Sequence, residues 1–238
     1  MTLASVLALG FLLGMRHATD ADHLAAVATL ATRSRSLGHT VLQGVAWGTG
    51  HTLTLMLFGG AVLVLGLVVP AQAAQALELA VGVMLVLLGA EALYRLRRER
   101  IHFHAHHHTG GVAHFHAHSH RGEGAPHDPA LHEHPHGFPA RALLVGMVHG
   151  MAGSAALVLL SLEAMSSPAR GFVYIAIFGL GSILGMALLS AAIAVPLRLT
   201  SRRLKQTHDG LSAAVGLATL LLGCYIVYRI GAGDGLLG

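Results

Sequence analysis

Charge is scarce in this 238-residue chain: Asp, Glu, Lys and Arg make up 11% of it, against about 25% in an ordinary soluble domain. With 54% hydrophobic residues and a mean hydropathy of +0.64, this shortage excludes a water-soluble globular class and points to the bilayer as solvent. Cysteine is scarcer still. The one cysteine, Cys224, lies in an apolar stretch, which excludes an intramolecular disulfide and a thiolate metal cluster. No Walker A phosphate loop, nucleophile elbow or kinase signature occurs, so the chain is read as a non-enzyme without an ATPase of its own. An alternating ten-residue strand pattern is also missing, which argues against a barrel. The first apolar segment lacks the basic n-region and cleavage site of a removable signal peptide and is expected to stay in the membrane.

What the chain has in quantity is apolar length. Six stretches, at about 3–31, 41–66, 73–94, 142–163, 171–196 and 211–229, reach or approach the roughly 20 helical residues that cross the hydrocarbon layer. Each is expected to be helical, because unpaired backbone groups in lipid cost several kcal/mol apiece. Twelve of the fifteen basic residues fall in the connections after spans one, three and five: Arg33, Arg35, Arg95, Arg97, Arg98, Arg100, Arg121, Arg141, Arg198, Arg202, Arg203 and Lys205. Arg170 and Arg229 lie on the other side, and Arg16 lies within the first span. This placement argues against nucleic acid as partner. By the positive-inside rule it puts both termini outside and the long 97–141 connection in the cytoplasm.

The two halves resemble each other. Ala80 to Arg95 aligns without gaps on Ala214 to Arg229 with eight of sixteen positions identical, and Gly14-Met15-Arg16-His17 matches Gly146-Met147-Val148-His149. Three spans per half is an odd number, so the repeats face opposite ways. The fold class expected is therefore an all-α membrane protein of two inverted three-helix repeats, 1–96 and 142–238, joined by a disordered His-rich cytoplasmic loop at 97–141. In carriers of this kind the substrate site lies at the repeat interface near mid-membrane.

Ionisable residues inside the first span sharpen the reading, since a charge near the bilayer centre costs about 2.5–3.5 kcal/mol even on lenient scales. Arg16-His17-Ala-Thr19-Asp20-Ala-Asp22-His23 holds imidazole and carboxylate together, ligand types that suit nickel, cobalt or zinc. On a regular helix His17, Asp20 and His23 share one arc while Asp22 points elsewhere, so an Asp22 ligand requires a distorted helix. At about 1.5 Å per residue, His51 in the second span and His149 in the fourth reach a depth similar to that of His17. The candidate metal residues are thus His17, Asp20, Asp22, His23, His51 and His149. For His51 and His149 taken singly, a plain hydrogen bond between helices is an equal alternative.

His17-x4-Asp22-His23 resembles the signature of the nickel/cobalt transporter family, and Trp47-Gly-Thr-Gly-His51-Thr52 is similar to that family's next-helix motif. The resemblance implies that His17, Asp22 and His23 recognise metal, with His51 contributing; Asp20 is added from helical geometry alone. The chain departs from the family's eight helices and lacks its Asp-Thr-rich second-half motif. In that place His149-Gly-Met-Ala-Gly-Ser-Ala155 looks like the shorter related group named urease accessory transporters.

The 97–141 connection carries thirteen histidines: His102, His104, His106, His107, His108, His114, His116, His118, His120, His127, His132, His134 and His136. Rich also in Gly and Pro, it is expected to build no core and to serve as a metal buffer. Its similarity to the His-rich loop of bacterial nickel and cobalt efflux proteins leans toward export, although buffering on the arrival side serves import equally. No tightly bound cofactor is expected; Ni²⁺ or Co²⁺ enters as the transported ion. The expected partners are the bilayer and the ion of the cytoplasmic membrane, with a second copy of the chain or a metallochaperone as further candidates. Two other functions remain open at this point: a metal sensor or accessory subunit for metalloenzyme maturation, and a proton-coupled carrier of a non-metal substrate.

Overall fold

The break expected in the first span is where the architecture begins. In the computed structural model, which describes residues 3–32, 36–66, 70–98, 103–107, 113–117, 139–151, 167–203 and 205–233, residues 3–31 form two helices, α1 (Leu3–His17) and α2 (Ala21–Ala31). The last turn of α1 tightens, with Thr19 N–H bonding the Arg16 carbonyl at 2.9 Å and Asp20 N–H the His17 carbonyl at 3.1 Å. The Thr19 hydroxyl donates to the Arg16 carbonyl as well. Thr and Asp compete for backbone groups in this way and favour helix boundaries over helix interiors. Asp20 holds the N-cap position of α2 with extended backbone, yet makes no side-chain cap; its carboxylate is committed to His17.

The remaining described helices are α3 (Leu37–Leu65), α4 (Ala71–Arg98), α5 (Ala140–Gly150), α6 (Pro168–Arg203) and α7 (Lys205–Tyr228), with a π-helical turn at Arg229–Gly233. Ser36 caps α3 by accepting the His39 N–H at 3.0 Å. Gly66 ends that helix at φ 62°, in the left-handed region where a side chain would be strained. Among the described residues, four segments are long and apolar enough to cross a membrane: Leu37–Leu65, Ala71–Arg98, Pro168–Pro196 and Asp209–Ala232. The protein is a helical membrane protein. Of the fourth expected span, 142–163, the first part is α5; residues 152–166 lie outside the described residues.

One sequence expectation needs correction. Within the His-rich connection Phe103–His107 (β1) and Ala113–Ala117 (β2) pair as an antiparallel hairpin, so these ten residues are not without regular structure. The alternation of His with Ala and Phe in both runs has the period of a strand.

Helix α3 packs chiefly against α6 and α5, α1 against α6, and α4 against α7. The contacts are close because glycine sits at the crossings, and they are reciprocal. A Cβ on Gly50 would lie 2.2 Å from the Leu143 carbonyl and 3.0 Å from the Met147 nitrogen; a Cβ on Gly181 would lie 2.1 Å from the Phe11 carbonyl and 3.2 Å from the Met15 nitrogen. Gly14 likewise meets the Phe178 carbonyl while Gly146 meets that of Trp47, and Gly89 meets Leu220 and Gly216 while Gly223 meets Val86 and Gly82. Side chains of α2, α3, α4 and α6, among them Val27, Trp47, Leu85 and Met186, fill the core between these crossings. Leu12, Leu57, Leu87 and Leu221 face outward, an apolar exterior suited to lipid. Glu91 pairs with Arg141 and Glu78 with Arg229.

Candidate metal centre

Four helices each deliver one imidazole to a common point. His17 ends α1, His23 lies in the first turn of α2, His51 sits midway along α3 and His149 is one residue from the end of α5. All four are buried, with relative exposures of 8%, 1%, 0% and 1%. Ring centroids lie 4.4 Å apart for His17 and His23, 5.1 Å for His17 and His51, 5.3 Å for His23 and His51, and 4.0 Å for His23 and His149. His149 stands farther from His51, at 6.3 Å.

The carboxylates lie to one side. Asp20 Oδ2 is 2.7 Å from His17 Nδ1. Asp22 Oδ1 accepts the backbone N–H of His23 at 2.9 Å and lies 3.0 Å from its Nδ1, while Asp22 Oδ2 is 2.8 Å from His149 Nε2. Because α2 starts anew at Ala21, its helical phase is independent of α1, and Asp22 turns toward His149 instead of away from the cluster as an unbroken helix would have it. The structure therefore brings together all six candidate residues from the membrane spans, with the Asp20 carboxylate bonded to His17.

Among the described residues, two groups could hold an ion: His17, His23 and His51, and Asp22, His23 and His149, one ligand atom from each residue lying within 4.8 Å of the others in its group. His17 Nε2, His23 Nε2, both ring nitrogens of His51 and His149 Nδ1 are buried without a hydrogen-bond partner among the described residues. Unpartnered polar atoms are expensive in a low-dielectric interior, and nitrogen lone pairs gathered at one point are what a borderline divalent cation uses. Aromatic rings wall the cluster. Phe178 lies 5.6 Å from His17, Trp47 5.5 Å from His149 and 6.4 Å from His23. Trp47 was visible in the sequence as part of the Gly-His motif, whereas nothing there pointed to Phe178.

Of the thirteen loop histidines, His104, His106, His107, His114 and His116 belong to the hairpin strands. His102, His108, His118, His120, His127, His132, His134 and His136 lie outside the described residues.

Residues 3–204 match the family of high-affinity nickel-transport proteins. The urease accessory protein UreH of Bacillus sp. (strain TB-90) is 33% identical over 240 residues, covering 98% of this chain and 95% of the relative. No solved structure matches the chain. A family match over most of the length, on a helical membrane fold with buried imidazoles gathered at a broken helix, leads to one conclusion: this chain belongs to the high-affinity nickel-transport protein family.

Proposed function

We propose that the protein carries Ni²⁺ or Co²⁺ across the cytoplasmic membrane through the site formed by His17, Asp20, Asp22, His23, His51 and His149. The observation that carries this reading is the convergence of four buried imidazoles from four helices, with unpartnered ring nitrogens, in a chain of a nickel-transport family. The side chains of Asp20 and Asp22 are 52% and 31% exposed, while the imidazoles are nearly closed off. An arriving cation meets negative charge first, sheds water there, and then engages nitrogen. Protons compete for the same lone pairs, so binding weakens in acid.

Residues 1–96 and 142–238 act as two inverted repeats that rock about the site. The reciprocal glycine contacts support this: Phe11 and Met15 correspond to Leu143 and Met147 at an offset of 132, Gly50 to Gly181 at 131, and each glycine meets the other half's counterpart residues. Both termini lie outside, and the His-rich segment buffers metal in the cytoplasm.

The name of the relative UreH favours a second reading, in which the chain is an accessory to metalloenzyme maturation. One assay separates them. Purified protein in sealed vesicles, offered nickel, cobalt or zinc in each direction, is expected to move nickel or cobalt down an imposed gradient; metal binding with no flux in either direction would favour the accessory role over the carrier.

A further inference from the structure

We propose that Trp47 and Phe178 are the inner and outer gates of the carrier, symmetry-related rings that each cap the histidines from one side of the membrane. This rests on the carrier reading above and adds to it where the ion enters and leaves. The reciprocal glycine contacts set α3 and α6 in register at an offset of 131. In that register Trp47-Gly48-Thr49-Gly50-His51 falls on Phe178-Gly179-Leu180-Gly181-Ser182, so each half carries an aromatic ring, two glycines and a buried polar residue in the same order. The neighbouring contacts are exchanged as well: Gly48 meets Ile183 while Gly179 meets Thr52. Each ring lies against an imidazole of the other half. Trp47 stands 5.5 Å from His149 and Phe178 stands 5.6 Å from His17, and these two histidines are themselves counterparts in the Gly-Met-x-His repeat.

The two rings approach from opposite ends. Helices α3 and α6 run antiparallel, Gly44 meeting Ser190 and Gly60 meeting Phe172. Each aromatic is the eleventh residue of its helix, about 15 Å in from the start. By the distribution of basic residues α3 begins at the cytoplasmic end, after Arg33 and Arg35, and α6 begins at the outer end, beside Arg170. On the cytoplasmic side a cleft lined by Val27, Leu30, Thr40, Gln43 and Ser190 ends at Trp47. It is too narrow for a water molecule in this structure. Gln43 Oε1 and Trp47 Nε1 are nevertheless buried there without a hydrogen-bond partner among the described residues, and Thr40 and Ser190 are buried with them. Unpaired polar atoms are costly in the interior, and these gain partners when water or a hydrated cation fills the cleft. The outer side is closed by apolar packing, Phe178 lying with Leu55, Tyr174 and Ile175. Trp47 and Phe178 are 0% and 6% exposed, so both gates are shut. Rocking one inverted half against the other lifts one ring at a time, as alternating access requires.

The test uses the full-length Cys224→Ser chain with Ser182→Cys, buried one turn beyond Phe178, as its single thiol. A membrane-impermeant maleimide is applied from outside in intact cells and from the cytoplasmic side in inverted vesicles. The reporter should react slowly from both sides while both rings are present. Trp47→Leu should speed labelling from the cytoplasmic side alone and Phe178→Leu from the outer side alone. Each change should be about tenfold, because an open state held to about 10% by the ring becomes the main one without it. Trp47→Phe, which keeps a ring, should label at the parent rate. If a leucine variant fails to fold, Trp47→Met and Phe178→Met, unbranched and more adaptable in packing, repeat the comparison. Nickel flux through the unsubstituted chain is measured alongside in sealed vesicles. Flux together with ring variants that label at the parent rate, or from the same side, would reduce the rings to packing and overturn the gates while the carrier reading stands. No flux in either direction would remove the carrier reading and the gates with it.

Discussion

Thr29 on α2 and Thr219 on α7 place their hydroxyls 2.8 Å apart, and the Thr219 hydroxyl also lies within reach of the Ala25 and Val215 carbonyls. This is a polar contact between membrane helices with a packing role. Thr29→Val is therefore expected to cost about 0.6 kcal/mol, the average for such bonds, and to leave nickel binding unchanged. His51→Ala, equally buried, should abolish binding with little loss of stability, because it removes unpartnered polar atoms from the interior. Chemical unfolding and nickel titration of both variants check the contrast; loss of nickel binding in Thr29→Val would mean that helix packing, not imidazole, sustains the site. At this scale the sequence revealed which residues meet but not how. His17, Asp20 and His23 shared an arc from simple helical counting. The bonds from Asp22 to His23 and His149 depend on the non-helical residues 18–20, whose dihedrals no periodicity specifies.

Between elements, glycine sets how closely α5 approaches α3. A Cβ on Gly146 would stand 2.1 Å from the Trp47 carbonyl, whereas nothing lies within 4 Å of one on Gly38. Gly146→Ala should force α5 outward at a cost of about 1–3 kcal/mol. It should also weaken nickel binding, because His149 and its bond to Asp22 move with that helix. Gly38→Ala should be neutral or slightly stabilising. Thermal denaturation in detergent distinguishes them, and equal melting temperatures would contradict the close crossing. The small residues and the Gly-Met-x-His repeat were legible in the sequence; their mutual contact was not, because sequence periodicity gives a helix its faces without naming the neighbour. The hairpin at Phe103–His107 and Ala113–Ala117 follows the two-residue alternation of His with Ala and Phe, a signal that composition alone does not carry.

For the molecule as a whole, length and hydropathy were enough to reveal a helical membrane protein, and the uneven distribution of Arg and Lys makes orientation a testable matter. A reporter fused at Gly110 should read cytoplasmic and one at Gly238 external; the reverse pair of readings would overturn the orientation. Neither result bears on chemistry, which rests on the buried cluster. The most direct test of the central claim is nickel calorimetry on the full-length chain with its thirteen loop histidines replaced by asparagine, so that only the membrane site reports. The parent should bind nickel, and His17→Ala, His23→Ala and Asp22→Asn should each lose that binding or weaken it strongly while remaining folded. Parent-like affinity in all three folded variants would contradict an intramembrane metal site.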